Sequence, residues 1–209
     1  MIKIQKKLWP LIIFNIVYII GFASFYFRTL NYEFLAYVGV LVIVGLVVLL
    51  TLKKSNLDMF SLWGLSIWGL LHMAGGSIRI DGNTLYSLRL LNIFDGGGQF
   101  FILKMDQFVH LFGFGVSAIA IFQILIPHLK NKAKYGLAIF LAFIGSMGLG
   151  AMNEVVEFLA FISLEKTGVG DLYNTGLDLI FNMFGAIFGA FIASWWDKGK
   201  SRWKTKGKA

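Results

Sequence analysis

The 209-residue chain contains no cysteine, and charged residues make up only 14% of it. Without thiols there is no disulfide scaffold, no thiolate metal site and no cysteine nucleophile. Soluble domains carry about 25% charged residues. A chain this poor in charge, with 57% hydrophobic residues and a mean hydropathy of +0.74, is solvated by lipid. Also missing is an A-x-A cleavage site after the first apolar run, although Lys3, Lys6 and Lys7 precede it as they would in a signal peptide. That run reads as an uncleaved first helix.

What the chain does have is apolar length. Crossing a bilayer takes about 20 mostly apolar residues, and six stretches qualify: 8–27, 34–52, 57–76, 105–126, 135–164 and 176–196. The expected fold is an all-α integral membrane protein of about six transmembrane helices. One polytopic domain covers 1–197, with an outer loop at 77–104 and a basic cytoplasmic tail at 198–209. The fifth stretch is too long for an upright span, so it is either strongly tilted or broken near Gly148 and Gly150. In the outer loop, the turn signals Asp81-Gly82-Asn83 and Asp95-Gly96-Gly97-Gly98 bracket Leu85 to Phe94. That segment is too short to span and suits a helix lying on the outer surface, as a lid or a plain connector.

The basic residues orient the bundle. Lys3, Lys6, Lys7, Lys53, Lys54, Lys130, Lys132, Lys134 and the six from Lys198 to Lys208 fall on one side, 14 of the 19. Arg28, Arg79, Arg89, Lys104 and Lys166 fall on the other. Basic residues in short loops mark the cytoplasmic face, so both termini are expected to be cytoplasmic. Trp9, Trp195 and Trp196 fit the inner interfacial belt. The net charge of +8 is then a topology signal and calls for no nucleic-acid partner. Membrane lipids are the expected partners, and the tail could also attract anionic headgroups. Oligomeric state is not legible in the sequence.

With the orientation set, the intramembrane polar residues share one depth. His72 lies near the outer end of helix three, Asp106 and His110 open helix four, Glu154 and Glu157 sit in the outer half of the fifth segment, and Asp178 and Asn182 open helix six. A charge in hydrocarbon costs at least ~3 kcal/mol, so such groups face a protein interior, an ion or water. Asp106 and His110 are spaced i, i+4, as are Asp178 and Asn182, and Glu154 and Glu157 are i, i+3, so each pair shares a helix face. Helices four and six read in parallel, Asp106, His110, Gly113, Ser117 against Asp178, Asn182, Gly185, Gly189. Small residues on such a stripe let helices approach closely in lipid. Asp171 and Asn174 read as N-terminal capping residues.

Histidines and carboxylates without thiolates suit a divalent cation such as zinc, manganese or magnesium. The preferred ligands are His72, Asp106, His110 and Asp178, with Glu154 as general base, Glu157 assisting, and Asn153 and Asn182 in support. A three-ligand site with an open position activates water for hydrolysis. The same groups without a metal could relay protons in a small transporter, for which the parallel stripes of helices four and six would be an internal repeat. A third reading is a structural or partner-binding protein whose polar cluster only locks the helices together.

The strings LLHMAGG (70–76), Leu85-Tyr86, MDQFVHLFGFG (105–115), NEVVEF (153–158) and GDLYNTGLDLIFNMFGA (170–186) carry a resemblance. The chain resembles the YjdF-type family of bacterial and archaeal inner-membrane proteins, and more loosely the VanZ-like proteins. The latter usually have an arginine shortly before the last aspartate, and none occurs between Ser163 and Leu177. The resemblance implies a multi-pass protein of a prokaryotic plasma membrane. It supports the site positions more than any activity, and the missing arginine speaks against carrying over an envelope role from the VanZ-like proteins. The leading expectation from the residues is an extracytoplasmic-facing intramembrane site, metal-assisted, acting on a lipid-linked or other envelope molecule.

Overall fold

Backbone polar groups have no water to bond in hydrocarbon, so an apolar chain of this length folds as helices. The computed structural model describes residues 5–97, 100–129, 134–164, 170 and 172–206. Lys3, Gly98, Lys130, Lys132, Lys166, Asp171 and Lys208 lie outside the described residues. Six helices form: α1 Trp9–Arg28, α2 Tyr32–Ser55, α3 Met59–Ser77, α4 Met105–Leu125, α5 Lys134–Ser163 and α6 Leu172–Lys206. Five are long and apolar enough to cross a membrane. The exception is α3, whose Ser, Gly, Trp and His dilute its hydropathy. Its 19 residues still reach about 28 Å at 1.5 Å per residue, close to the hydrocarbon thickness of about 30 Å. Ser61, Gly64, Ser66 and Gly69 are buried within it, against α1 and α4.

Short linkers with local caps fold the first three helices back on one another. Asn31 accepts a hydrogen bond from the Phe34 N–H at 3.1 Å to start α2. Asn56 takes the left-handed conformation that ends α2, and Asp58 accepts from the Ser61 N–H at 3.0 Å to start α3. The start of α1 and the Trp196 turn of α6 lie at the same end of the bundle. Leu8 and Leu11 cluster with Leu62 at the start of α3, and Phe60 packs on Trp196 near the end of α6 with ring centroids 5.1 Å apart.

The fifth segment is unbroken, 30 residues of continuous α5, and Gly150 is where it closes on Asn182 of α6. At about 45 Å it exceeds the hydrocarbon thickness, so it tilts or protrudes. Likewise α6 runs on to Lys206, so the expected tail from 198 begins as helix.

The expected surface helix at 85–94 does not form. The 77–104 connection folds into two antiparallel hairpins: β1 Arg79–Ile80 with β2 Asn83–Thr84, then β3 Arg89–Asp95 with β4 Phe101–Lys104. Asp81 and Gly82 both have positive φ (49° and 83°), as a two-residue hairpin turn requires. Only Leu85–Ser87 is helical, as a single 3-10 turn. The partner strand β4 adjoins helix four directly in sequence, which hides it from a hydropathy reading.

In the other half of the bundle, α4, α5 and α6 meet through Ala118, Phe122, Ala138, Ala142, Ala186 and Ala190, none more than 1% exposed. The α4–α6 crossing is backbone against backbone. A β-carbon at Gly185 would overlap the Leu111 carbonyl, and one at Gly189 the Gly115 carbonyl. The stripe expected on α6 is therefore present, but its counterpart on α4 is Leu111 and Gly115. Gly113 faces α3 instead, under the Trp68 indole, because α4 is surrounded and presents a different residue to each neighbour.

Candidate functional site

His110, only 3% exposed, is the hub of the polar half. The first turn of α4 places Asp106 one turn below it, and the Asp106 Oδ1 lies 3.7 Å from His110 Nε2. On the other edge of the ring, Nδ1 lies 2.9 Å from Asn182 Oδ1 on α6 and 3.6 Å from Glu154 Oε1 on α5. The amide oxygen only accepts, so Nδ1 carries the proton and Nε2 keeps its lone pair. That pair faces the Asp106 side.

A stripe on α6 closes the site. Asn174, Asp178 and Asn182 are successive i, i+4 residues. Asn174 Nδ2 donates to Asp178 Oδ2 at 2.6 Å and to Asp106 Oδ2 at 3.2 Å, tying the two aspartates together. Its Oδ1 accepts from Lys104 Nζ at 2.7 Å. On α5, Asn153 Nδ2 donates to Glu157 Oε1 at 2.7 Å.

Two donor sets result, sharing His110. Ligand atoms of Asp106, His110 and Asp178 all lie within 4.8 Å of one another, as do those of His110, Glu154 and Glu157. Several of these atoms are unsatisfied. Among the described residues, neither Glu154 oxygen, nor Asp178 Oδ1, nor Asn182 Nδ2 has a hydrogen-bond partner. Glu154 is 7% exposed, Asp178 1% and Asn182 0%.

The structure thus brings together Asp106, His110, Glu154, Glu157, Asp178 and Asn182, with Asn153 holding Glu157. It sets His72 apart. The Tyr86 hydroxyl lies 2.7 Å from the His72 carbonyl and 2.8 Å from His72 Nδ1. One proton serves both only if the hydroxyl donates to the carbonyl and accepts from Nδ1–H. Burial, reinforced by the charges of Asp106 and Glu157, pushes the Tyr86 phenol well above its ordinary value of 10.0, so it stays neutral and able to donate. His72 therefore lines the neighbouring cavity and belongs to neither donor set.

That cavity, about 80 Å³, is walled by Tyr37, His72, Tyr86, Lys104, Asp106 and Glu157 among others. The sequence reading missed several members of this region. Lys104 counted only as an outer-loop charge, and Asn174 only as a cap, although its i, i+4 spacing to Asp178 was visible. Glu33, Tyr37 and Tyr86 reach the cavity through tertiary folding, for which no local spacing gives a signal.

The chain matches the family model described as Predicted membrane protein (DUF2238) over residues 9–199, and it belongs to that family. The match includes the first two helices, beyond the 70–186 stretch that carries the motifs; it does not show a VanZ-like kinship. No curated protein and no solved structure matches the chain significantly.

Proposed function

We propose that the chain is a membrane-embedded enzyme in which Asp106, His110 and Asp178 hold a divalent cation. It would act from the extracytoplasmic side of a prokaryotic plasma membrane on a lipid-linked or other envelope molecule. One observation carries this reading: buried carboxylate oxygens on Glu154 and Asp178 lack partners on either side of His110. A buried carboxylate with only part of its hydrogen bonding met is costly, and a cation between these groups would offset that cost. Asn182 supports the same choice of ligands. By accepting from Nδ1–H it leaves Nε2 to coordinate, the usual orienting role of a partner behind a ligating histidine.

Three ligands would leave positions open, and a cation held there would supply Lewis-acid activation of water. In this reading Glu154, 3.6 Å from His110 Nδ1 and without a hydrogen bond among the described residues, would take the proton as general base through intervening water, with Glu157 beside it. Zinc, manganese and magnesium all suit the oxygen and imidazole donors. A proton-coupled carrier is the second reading, favoured by the run of titratable groups from Glu157 through His110 to Asp178. A purely structural lock is disfavoured, because the glycine crossing and alanine core already hold α4, α5 and α6 together.

Detergent-purified protein should be offered zinc, manganese and magnesium in turn, desalted, and measured for bound metal. About one ion per chain, removable by chelator, is expected for the preferred cation. No retained ion with any of the three would sink the enzyme reading and leave the carrier.

A further inference from the structure

We propose that the cavity beside the donor sets is a phosphoryl-binding pocket and that Lys104 holds a phosphate oxygen of the substrate there. This deepens the cation-assisted reading and rests on it.

The backbone around Lys104 is clamped. Lys104 N–H donates to Gln107 Oε1 at 3.1 Å, and Gln107 Nε2 donates to the Phe101 carbonyl at 2.8 Å. Gln107 is fully buried and Lys104 is 8% exposed, so the side chain is directed inward where a surface lysine would reach for water. There its ammonium has one described hydrogen bond, to the neutral amide of Asn174. Among the described residues no carboxylate lies within 4.0 Å of Nζ, the one Lys or Arg pairing with a carboxylate being Arg89 with Asp95, although Asp178 is near enough to interact with Lys104 at longer range. An ammonium has three donors, and a buried one needs acceptors for them even where a carboxylate lies at longer range. Lys104 lines the cavity, so the space open to its two remaining donors is there. Lysine serves as a point-charge anchor for phosphate.

The rest of the wall fits an anion only in company with a cation. Glu33, Asp106 and Glu157 also face the cavity, and by themselves they would repel phosphate. Asp106 is common to the cavity and to the proposed ligand set. With a cation between Asp106, His110 and Asp178, a phosphate held by Lys104 would sit between two positive centres. Anion binding is therefore expected to depend on the cation. Thr84 and Ser87 add hydroxyls at the hairpin side of the cavity.

The test compares cation-loaded, desalted wild-type protein with Lys104→Gln and Lys104→Arg. Each is titrated with inorganic phosphate and, separately, with detergent micelles carrying phosphatidic acid. The readout is the rise in unfolding temperature, which tracks ligand occupancy, with bound metal measured in parallel. Wild type should bind, K104Q should bind at least about tenfold more weakly with its metal content unchanged, and K104R should keep part of the affinity. Stripping the cation from wild type should weaken binding, a comparison that needs no variant to fold. Stabilisation by micelles alone would identify a lipid phosphate, and stabilisation by both a phosphate that need not be lipid-borne. Wild type that holds its cation but responds to neither ligand, or K104Q that responds like wild type, overturns the pocket and leaves the cation reading standing. Protein that holds no cation yet binds phosphate through Lys104 overturns the cation reading and keeps the pocket.

Discussion

Helices α4, α5 and α6 each have two halves, and the halves are built on opposite rules. Toward the basic end they meet mainly through Ala118, Ala138, Ala142, Ala186 and Ala190, with one satisfied polar link, the Tyr135 hydroxyl donating to Asp197 Oδ2 at 2.8 Å between α5 and α6. Toward the hairpin end the same helices carry Asp106, His110, Glu154, Glu157, Asp178 and Asn182, several of whose polar atoms are unsatisfied. Lipid offers no hydrophobic drive between helices, so association rests on close packing of small side chains. The alanine half and the Gly115–Gly185–Gly189 crossing supply that packing. The polar half adds the His110–Asn182 and Asn174–Asp106 hydrogen bonds between α4 and α6 and still keeps buried acceptors without a partner among the described residues; in the proposed reading those serve a ligand.

The largest effect should come from breaking the packing half. Gly189→Leu places a side chain where the Gly115 carbonyl already lies, and no rotamer relieves an overlap with backbone. Overpacking alone costs about 1–3 kcal/mol, and here helix separation adds to it. Folded, monodisperse protein in detergent should be largely lost, as read by size exclusion and thermal unfolding. Normal melting of G189L would show that the crossing is not what holds these helices.

A change in the polar half should leave assembly alone. Glu154→Gln keeps shape and hydrogen-bonding capacity while removing a buried charge. Its unfolding temperature should stay within a few degrees of wild type or rise, while complementation of a deletion strain fails. Full complementation would remove Glu154 from the chemistry.

The smallest perturbation tells which half faces out. A cysteine at Ser87, exposed in the hairpin connection, and one at Lys54, exposed at the end of α2, are introduced one at a time. An impermeant thiol reagent added to intact cells should label the first and spare the second, following the distribution of basic residues. The reverse pattern would turn the site toward the cytoplasm.

The spans and the shared depth of the polar residues were legible because both are local properties: apolar length, and i, i+3 or i, i+4 spacing. Continuity of α5 was not, since Gly148 and Gly150 weaken a helix in isolation, whereas here Gly150 lets Asn182 approach. The hairpins were hidden because Phe101–Lys104 reads as the approach to helix four. The roles of Lys104, Tyr86 and Glu33 depend on where side chains from separate segments meet. So does the exchange of Gly113 for Gly115 at the crossing, because sequence gives a helix's stripes but not the neighbour each one faces.

The central claim, that the polar half binds a cation and does not hold the bundle together, is tested most directly by Asp106→Leu combined with His110→Leu. Apolar replacement of a buried polar pair costs little stability when the fold does not depend on it. Bound-metal stoichiometry and unfolding temperature are measured on the same detergent-purified samples of wild type and double variant. The expected result is about one ion per wild-type chain, none in the variant, and unfolding temperatures within a few degrees of each other. A double variant that melts normally and holds as much metal as wild type, or a wild type that holds none, would contradict it.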